Sequence, residues 1–173
     1  MKDQDDIAGN FAHLAELDAP LARLGGLAER FFIEDANTSL VKSRQFAERM
    51  AREVADRLGL DLDPGADLVA VLGALRSDGS VTKDVLDVFH RIRKAGNAAV
   101  HGHDGDRREA FEALKLSHRL GVWFRASVTR KPDLRIAFVP PRARPDETAE
   151  LKALIAEQEA RLAEVETEAD RLR

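Results

Sequence analysis

The stretch His90-Arg91-Ile92-Arg93-Lys94-Ala95-Gly96-Asn97-Ala98-Ala99-Val100-His101-Gly102-His103, read with Val85, Leu86 and Phe89 ahead of it, decides what kind of chain this is. Val85, Leu86, Phe89 and Ile92 recur at the three- and four-residue spacing of a helix with one apolar face. Such a helix places Arg93 and Lys94 in its last turn, where cations complement the dipole, and makes Gly96 its C-cap. Ala98-Ala99-Val100 then leads to His101, and Gly102, Asp104 and Gly105 open a loop. Arg93, Asn97 and His101 stand four residues apart each time. They stack on one face if the helix runs on through Gly96 and gather around a kink if it breaks there. Either geometry brings three polar heads together.

Working outward, helical periodicity recurs on both sides. Ile7 to Leu17 reads as a short amphipathic start with Phe11 and Leu14 inward, and Pro20 suits the first turn of a second helix. Leu21, Leu24, Leu27, Phe31 and Phe32 form the apolar stripe of that helix. Its Gly25-Gly26 pair costs roughly 1 kcal/mol per glycine relative to alanine, so the pair marks close packing or a kink. Asn37 or Thr38 caps the next helix, which ends at Leu58 with Gly59 closing it. Leu40, Ala47, Ala51, Val54, Ala55 and Leu58 define its inward face, and Arg44 and Glu48 fall on that same face. On a solvated surface such a pair is worth only about 0.3 to 0.5 kcal/mol. Within an apolar stripe it must be hydrogen-bonded, which predicts a polar site or a buried network.

Asp67 caps a short helix through Leu75, Thr82 starts the helix of the opening stretch, and Asp106 starts a last one with Ala110, Phe111, Leu114, Leu120, Trp123 and Phe124 inward. His118 on this helix reads as a partly exposed polar residue. Leu134 to Val139 alternates with a period of two, as an extended segment lying across the bundle would. Pro140 to Pro145 is a stiff basic linker. Beyond it, Ile155, Leu162 and Ala169 fall at a, and Leu151, Gln158, Val165 and Leu172 at d, of a heptad seam. Arg161 at g is opposite in sign to Glu166 at e of the partner helix, so the seam suits a parallel homodimer. No Gly or Pro closes it at Arg173, as expected for the front end of a longer protein. The fold class is therefore all-α: a helical bundle over residues 1–139, a linker at 140–145 and a coiled-coil helix at 146–173.

Composition limits the function. The 173 residues are 44% apolar and 34% charged, enough for one core and far from disorder. There is no cysteine, which removes disulfides and thiolate metal sites and agrees with a cytoplasmic setting. No apolar run is long enough to span a bilayer, and Met1 to Asp6 lacks the basic and apolar regions of a signal peptide, so no membrane role is expected. A net charge of −4 argues against a basic protein that wraps nucleic acid with its whole surface. Local basic patches remain, and Arg130, Lys131, Arg135, Arg142 and Arg144 form a band near the linker that suits DNA or RNA contact. The loop histidines 101 and 103 lack a fixed third ligand, so no metal or other cofactor is expected.

Leu40-Val41-Lys42-Ser43-Arg44-Gln45-Phe46-Ala47-Glu48 followed by Phe89 to His101 resembles a helical domain of unknown function at the N-terminus of type I restriction endonuclease R subunits and related defence helicases. The resemblance covers Phe11 to Phe138. It implies an accessory or regulatory module that is not catalytic by itself, in a parent protein that is an ATP-dependent DNA endonuclease and helicase. Its partners would be DNA or other restriction subunits. The chain itself carries no GxxxxGK[ST] phosphate loop. The domain is also similar to HEPN (higher eukaryotes and prokaryotes nucleotide-binding) bundles, some of them metal-independent ribonucleases with an arginine four to six residues before a histidine. By that likeness Arg93, Asn97 and His101 would be catalytic, histidine moving the ribose 2′-hydroxyl proton and arginine stabilising the phosphorane. Arg93 stands eight residues before His101, too far for that pattern. The reading drawn is a binding or structural pocket of Arg44, Glu48, Arg93, Asn97 and His101; the alternatives are a ribonuclease and a dimerisation adaptor.

Overall fold

The computed structural model of the chain describes residues 9–100, 106–142 and 156. Within the described stretches 9–100 and 106–142 five α-helices are seen: α1 (Ala19–Glu34), α2 (Ala36–Arg57), α3 (Leu68–Asp78), α4 (Lys83–Val100) and α5 (Arg107–Thr129). A 3-10 turn, Ala12–Leu14, precedes them, and no strand occurs among the described residues. The protein is all-helical. The chain divides into two compact units, Met1–Pro141 and Arg142–Arg173. The heptad seam lies outside the described residues.

Four of the five helices start where a carboxylate can receive their first free N–H groups. Asp18 accepts from the Leu21 N–H at 2.8 Å, Asp67 from Ala70 at 2.8 Å, and Asp106 from Arg108 at 3.1 Å. The cap of α2 is Asp35, which accepts from Asn37 and Thr38, so the helix begins ahead of the Asn37 or Thr38 expected to cap it. Burial of Ser39, whose hydroxyl donates to the Ala28 carbonyl at 2.7 Å, sets this tight α1-to-α2 corner. The expected helix over Ile7–Leu17 reduces, among its described residues, to the 3-10 turn, because Phe11 must turn inward against α1.

Helix α2 is the centre. It packs on α1, α3, α4 and α5, and its buried residues include Phe46 and Met50 as well as the expected Leu40, Ala47, Ala51, Val54 and Ala55. Leu58 is not part of the core: it is 39% exposed, one position past the end of α2. Two glycines let helices approach. A Cβ on Gly25 would sit 2.3 Å from the Phe11 ring, so the Gly25-Gly26 pair of α1 serves close packing. A Cβ on Gly96 would sit 2.5 Å from Arg44 Cβ and 3.0 Å from the Leu40 carbonyl oxygen. Gly96 is therefore not a C-cap. Helix α4 continues through it to Val100, since contact with α2 over this turn outweighs the roughly 1 kcal/mol that an interior glycine costs.

The alternation after α5 holds. Leu134, Ile136 and Phe138 are half-buried and their neighbours exposed, without strand hydrogen bonding. Phe138 packs on Phe111 and His118, and the Asn10 side chain grips Val139 through both its N–H and its carbonyl, at 2.7 Å each.

Candidate functional site, a helix seam with unpaired guanidinium groups

The continuous α4 stacks Arg93 and Asn97 on successive turns beside Gly96, along the seam with α2 where Arg44 lies. Arg44, Arg93 and Asn97 are all half-buried. The Nε atoms of Arg44 and Arg93 are buried and have no hydrogen-bond partner among the described residues, and neither guanidinium has a carboxylate within ion-pairing distance there. Ser43 Oγ, one residue from Arg44, is likewise buried without a partner. Buried donors left unpaired cost on the order of 1 to 3 kcal/mol each, more when charged. The charge of Arg93 also reaches His90: burial is the main cause lowering that imidazole's pKa, and Arg93 is the next.

Glu48 does not join this group. Its carboxylate lies 3.8 Å from Arg52, and it lines a separate cleft of about 490 Å³ with Leu24, Arg49 and Arg52 on the α1 side of α2. No i,i+4 ion pair of Arg44 and Glu48 forms: the Arg44 stem packs against Gly96 of α4, whereas Glu48 turns to Arg52. His101 lies outside the described residues. In the basic band, Arg130, Lys131 and Arg135 are exposed, as is Arg142 of the second unit, and Arg144 lies outside the described residues.

Sequence reading missed the polar groups on the opposite side. His118 is buried, not partly exposed: it is 4% accessible, edge-on to Phe11 and His13 and tilted against Phe138. Burial, with a smaller contribution from His13, lowers its pKa to about 4. His13 is lowered too, chiefly by burial. Asn10 donates from its backbone and its side chain to Glu29, both at 3.0 Å, and burial raises the Glu29 pKa against those hydrogen bonds. Asp18, besides capping α1, pairs with Arg49 at 2.9 Å. The one sequence signal for this side was Phe11 ahead of Pro20, which does not tell which later helix it meets.

A family model for a domain of unknown function, DUF4145, matches residues 27–120, the second half of α1 through most of α5. The chain belongs to the DUF4145 family. The match takes in Arg44, Glu48, Arg93, Asn97 and His101 and stops short of the basic band. Among curated proteins, the type I restriction enzyme EcoKI endonuclease subunit of Escherichia coli (strain K12) is 33% identical over 133 residues. That alignment covers 76% of this chain and 11% of the relative, so this DUF4145 chain spans only a small part of the protein it matches. No solved structure matches it. No helix among the described residues is long and apolar enough to cross a membrane.

Proposed function

We propose that this DUF4145 domain is an N-terminal accessory or regulatory module of a protein like the type I restriction endonuclease subunits, acting in the cytoplasm by contacting nucleic acid. The observation that carries the reading is the identity of 33% across 76% of this chain to a protein of which it covers 11%. A likeness that spans the bundle and so little of the relative fits a module that serves chemistry located elsewhere. The basic residues Arg130, Lys131 and Arg135, exposed after α5, are the contacts this reading uses, and residues 146–173 pair two copies through their heptad seam.

Metal-free incubation of the purified chain with RNA and with DNA tests it. The expected result is no cleavage, with binding that weakens as salt rises and weakens further when Arg130, Lys131 and Arg135 are changed to Glu. RNA cleavage that disappears in His101→Ala would instead establish the ribonuclease reading, in which Arg93 and Asn97, already on one helix face, act with His101. Deleting residues 146–173 should halve the mass in solution and leave binding by the bundle in place.

A further inference from the structure

A cleft of about 540 Å³ opens where the C-terminal ends of α2 and α5 meet the turn before α4. Its apolar wall is Trp123, Phe124, Leu58 and Val128, and its rim carries Arg57 and Arg130, with no acidic residue lining it among the described residues. Trp123 is half-buried and braced at right angles against the buried Phe89, ring centroids 6.4 Å apart. The indole is held in place before any ligand arrives. Arg57 is also fixed, by Glu53 at 2.7 Å and by lying over the Phe124 ring. The carbonyl ends of α2 and α5 favour cations at this rim. The hydroxyl of Ser127 donates to the Trp123 carbonyl at 2.9 Å, which leaves its oxygen free to accept from a ligand.

Arg130 adds a second, independent observation. It has φ of 56°, the sole left-handed non-glycine residue among those described. Its N–H reaches the Ser127 carbonyl at 3.3 Å and that of Lys131 reaches Ala126 at 2.9 Å. This paired closure of a helix normally carries glycine, since a side chain is strained there. A strained residue with no hydrogen bond or ion pair from its side chain among the described residues points to a use outside the fold. Exposed Lys131 and Arg135 follow it along the chain.

We propose that this cleft takes one unstacked nucleotide of a single-stranded nucleic acid, its base against Trp123 and its phosphate at Arg57 and Arg130. An aromatic platform beside a track of cations is the arrangement that binds such strands without sequence preference. The cleft lies within the usual range of small-ligand sites, about 300 to 1,000 Å³, and an acidic helix of roughly 10 Å diameter is a poor fit to so small an opening. The assignment rests on the nucleic-acid contact proposed above and narrows it to single strands.

Trp123 is the chain's single tryptophan, so its emission reads the cleft directly. The full chain would be titrated with a ten-nucleotide oligo(dT), the same length of oligo(U), an abasic ten-mer and a duplex, following Trp emission and ligand anisotropy together. Saturable quenching by oligo(dT) or oligo(U), absent with the abasic strand and the duplex, is the expected result, and the stronger of the two names the sugar. Trp123→Ala should weaken binding about tenfold, the effect of one base stack. Arg130→Gly, which suits the backbone and so keeps the fold, should weaken it several-fold. Binding by anisotropy with unmoved Trp emission, equal quenching by the abasic strand, or unchanged affinity in Arg130→Gly overturns the cleft and leaves nucleic-acid contact standing. If no nucleic acid binds at all, both readings fall.

Discussion

The two sides of α2 treat buried charge in opposite ways. Toward α1, charges are answered: Asp18 caps α1 and pairs with Arg49, and Asn10 ties Glu29 to Val139. Toward α4, Arg44 and Arg93 carry buried Nε atoms with no acceptor among the described residues. A satisfied network fixes architecture, whereas removing one member of a buried pair exposes the desolvation cost of the other. A buried cation with no acceptor costs folding energy. The first side holds the fold; the second carries buried charge that the described residues leave unanswered.

Mutations can break this contrast, and the glycines come first. Gly25→Ala forces a Cβ into the Phe11 ring and should cost about 3 kcal/mol, while Gly96→Ala meets Arg44 and should cost about 2 kcal/mol after the helix-propensity gain, both read by chemical denaturation. A Gly96→Ala protein as stable as the parent would show that the seam is loose. Next, Asn10→Ala removes three side-chain hydrogen bonds, leaving Val139 unanswered and Glu29 with only the backbone N–H of residue 10, for a loss of about 2 kcal/mol.

Acid should act on the α1 side through His118, whose buried Nε2, like that of His13, has no hydrogen-bond partner among the described residues. Its folded pKa of about 4 lies below the ordinary 6.5, so below pH 6.5 the unfolded chain binds the proton and the folded one does not. Stability then falls as pH drops from about 6.5 to 4, by on the order of 2 kcal/mol. No carboxylate contributes to the His118 shift; its one charged influence is His13. Glu29, with its pKa raised, works in the other direction, gaining stability as pH falls through its folded value, so His118→Phe should flatten the acid limb of a melting-temperature profile and expose the Glu29 contribution.

On the α4 side the signs reverse. Arg44→Met keeps the stem and removes the unanswered charge, and should stabilise the protein by about 1 kcal/mol in a denaturant titration. A loss instead would mean that Arg44 has a partner in the folded protein and that the contrast is overstated. The smallest effect is at the end of α5, where Arg130→Gly relieves a left-handed arginine and should add about 0.5 kcal/mol, measured the same way.

Helix existence was legible in the sequence because amphipathic spacing and acidic caps are local signals, and Asp67 and Asp106 sit where they were read. Misreadings came from contacts between distant segments. Gly96 carries the ordinary mark of a helix end, and only the approach of α2 reveals why it lies inside one. His118 looked like surface because the residues covering it, Phe11, His13 and Phe138, come from both ends of the bundle's sequence. Arg44 and Glu48 were one helical turn apart and seemed a pair, yet that turn points them to different neighbours. Of the pocket read at first, Arg44, Arg93 and Asn97 share a seam; Glu48 is elsewhere. The Trp123 cleft had no sequence signal, since its walls come from three separated stretches.

The Asn10 grip on Val139 joins the first described turn of the bundle to its last segment, about 130 residues later in sequence. Tension applied to the chain beyond Pro141 therefore passes into the N-terminal turn and α1 before it can unzip α5. A machine pulling on this tether would meet a short, stiff clasp of side-chain amide hydrogen bonds first, and the helices would feel the force only once that clasp let go.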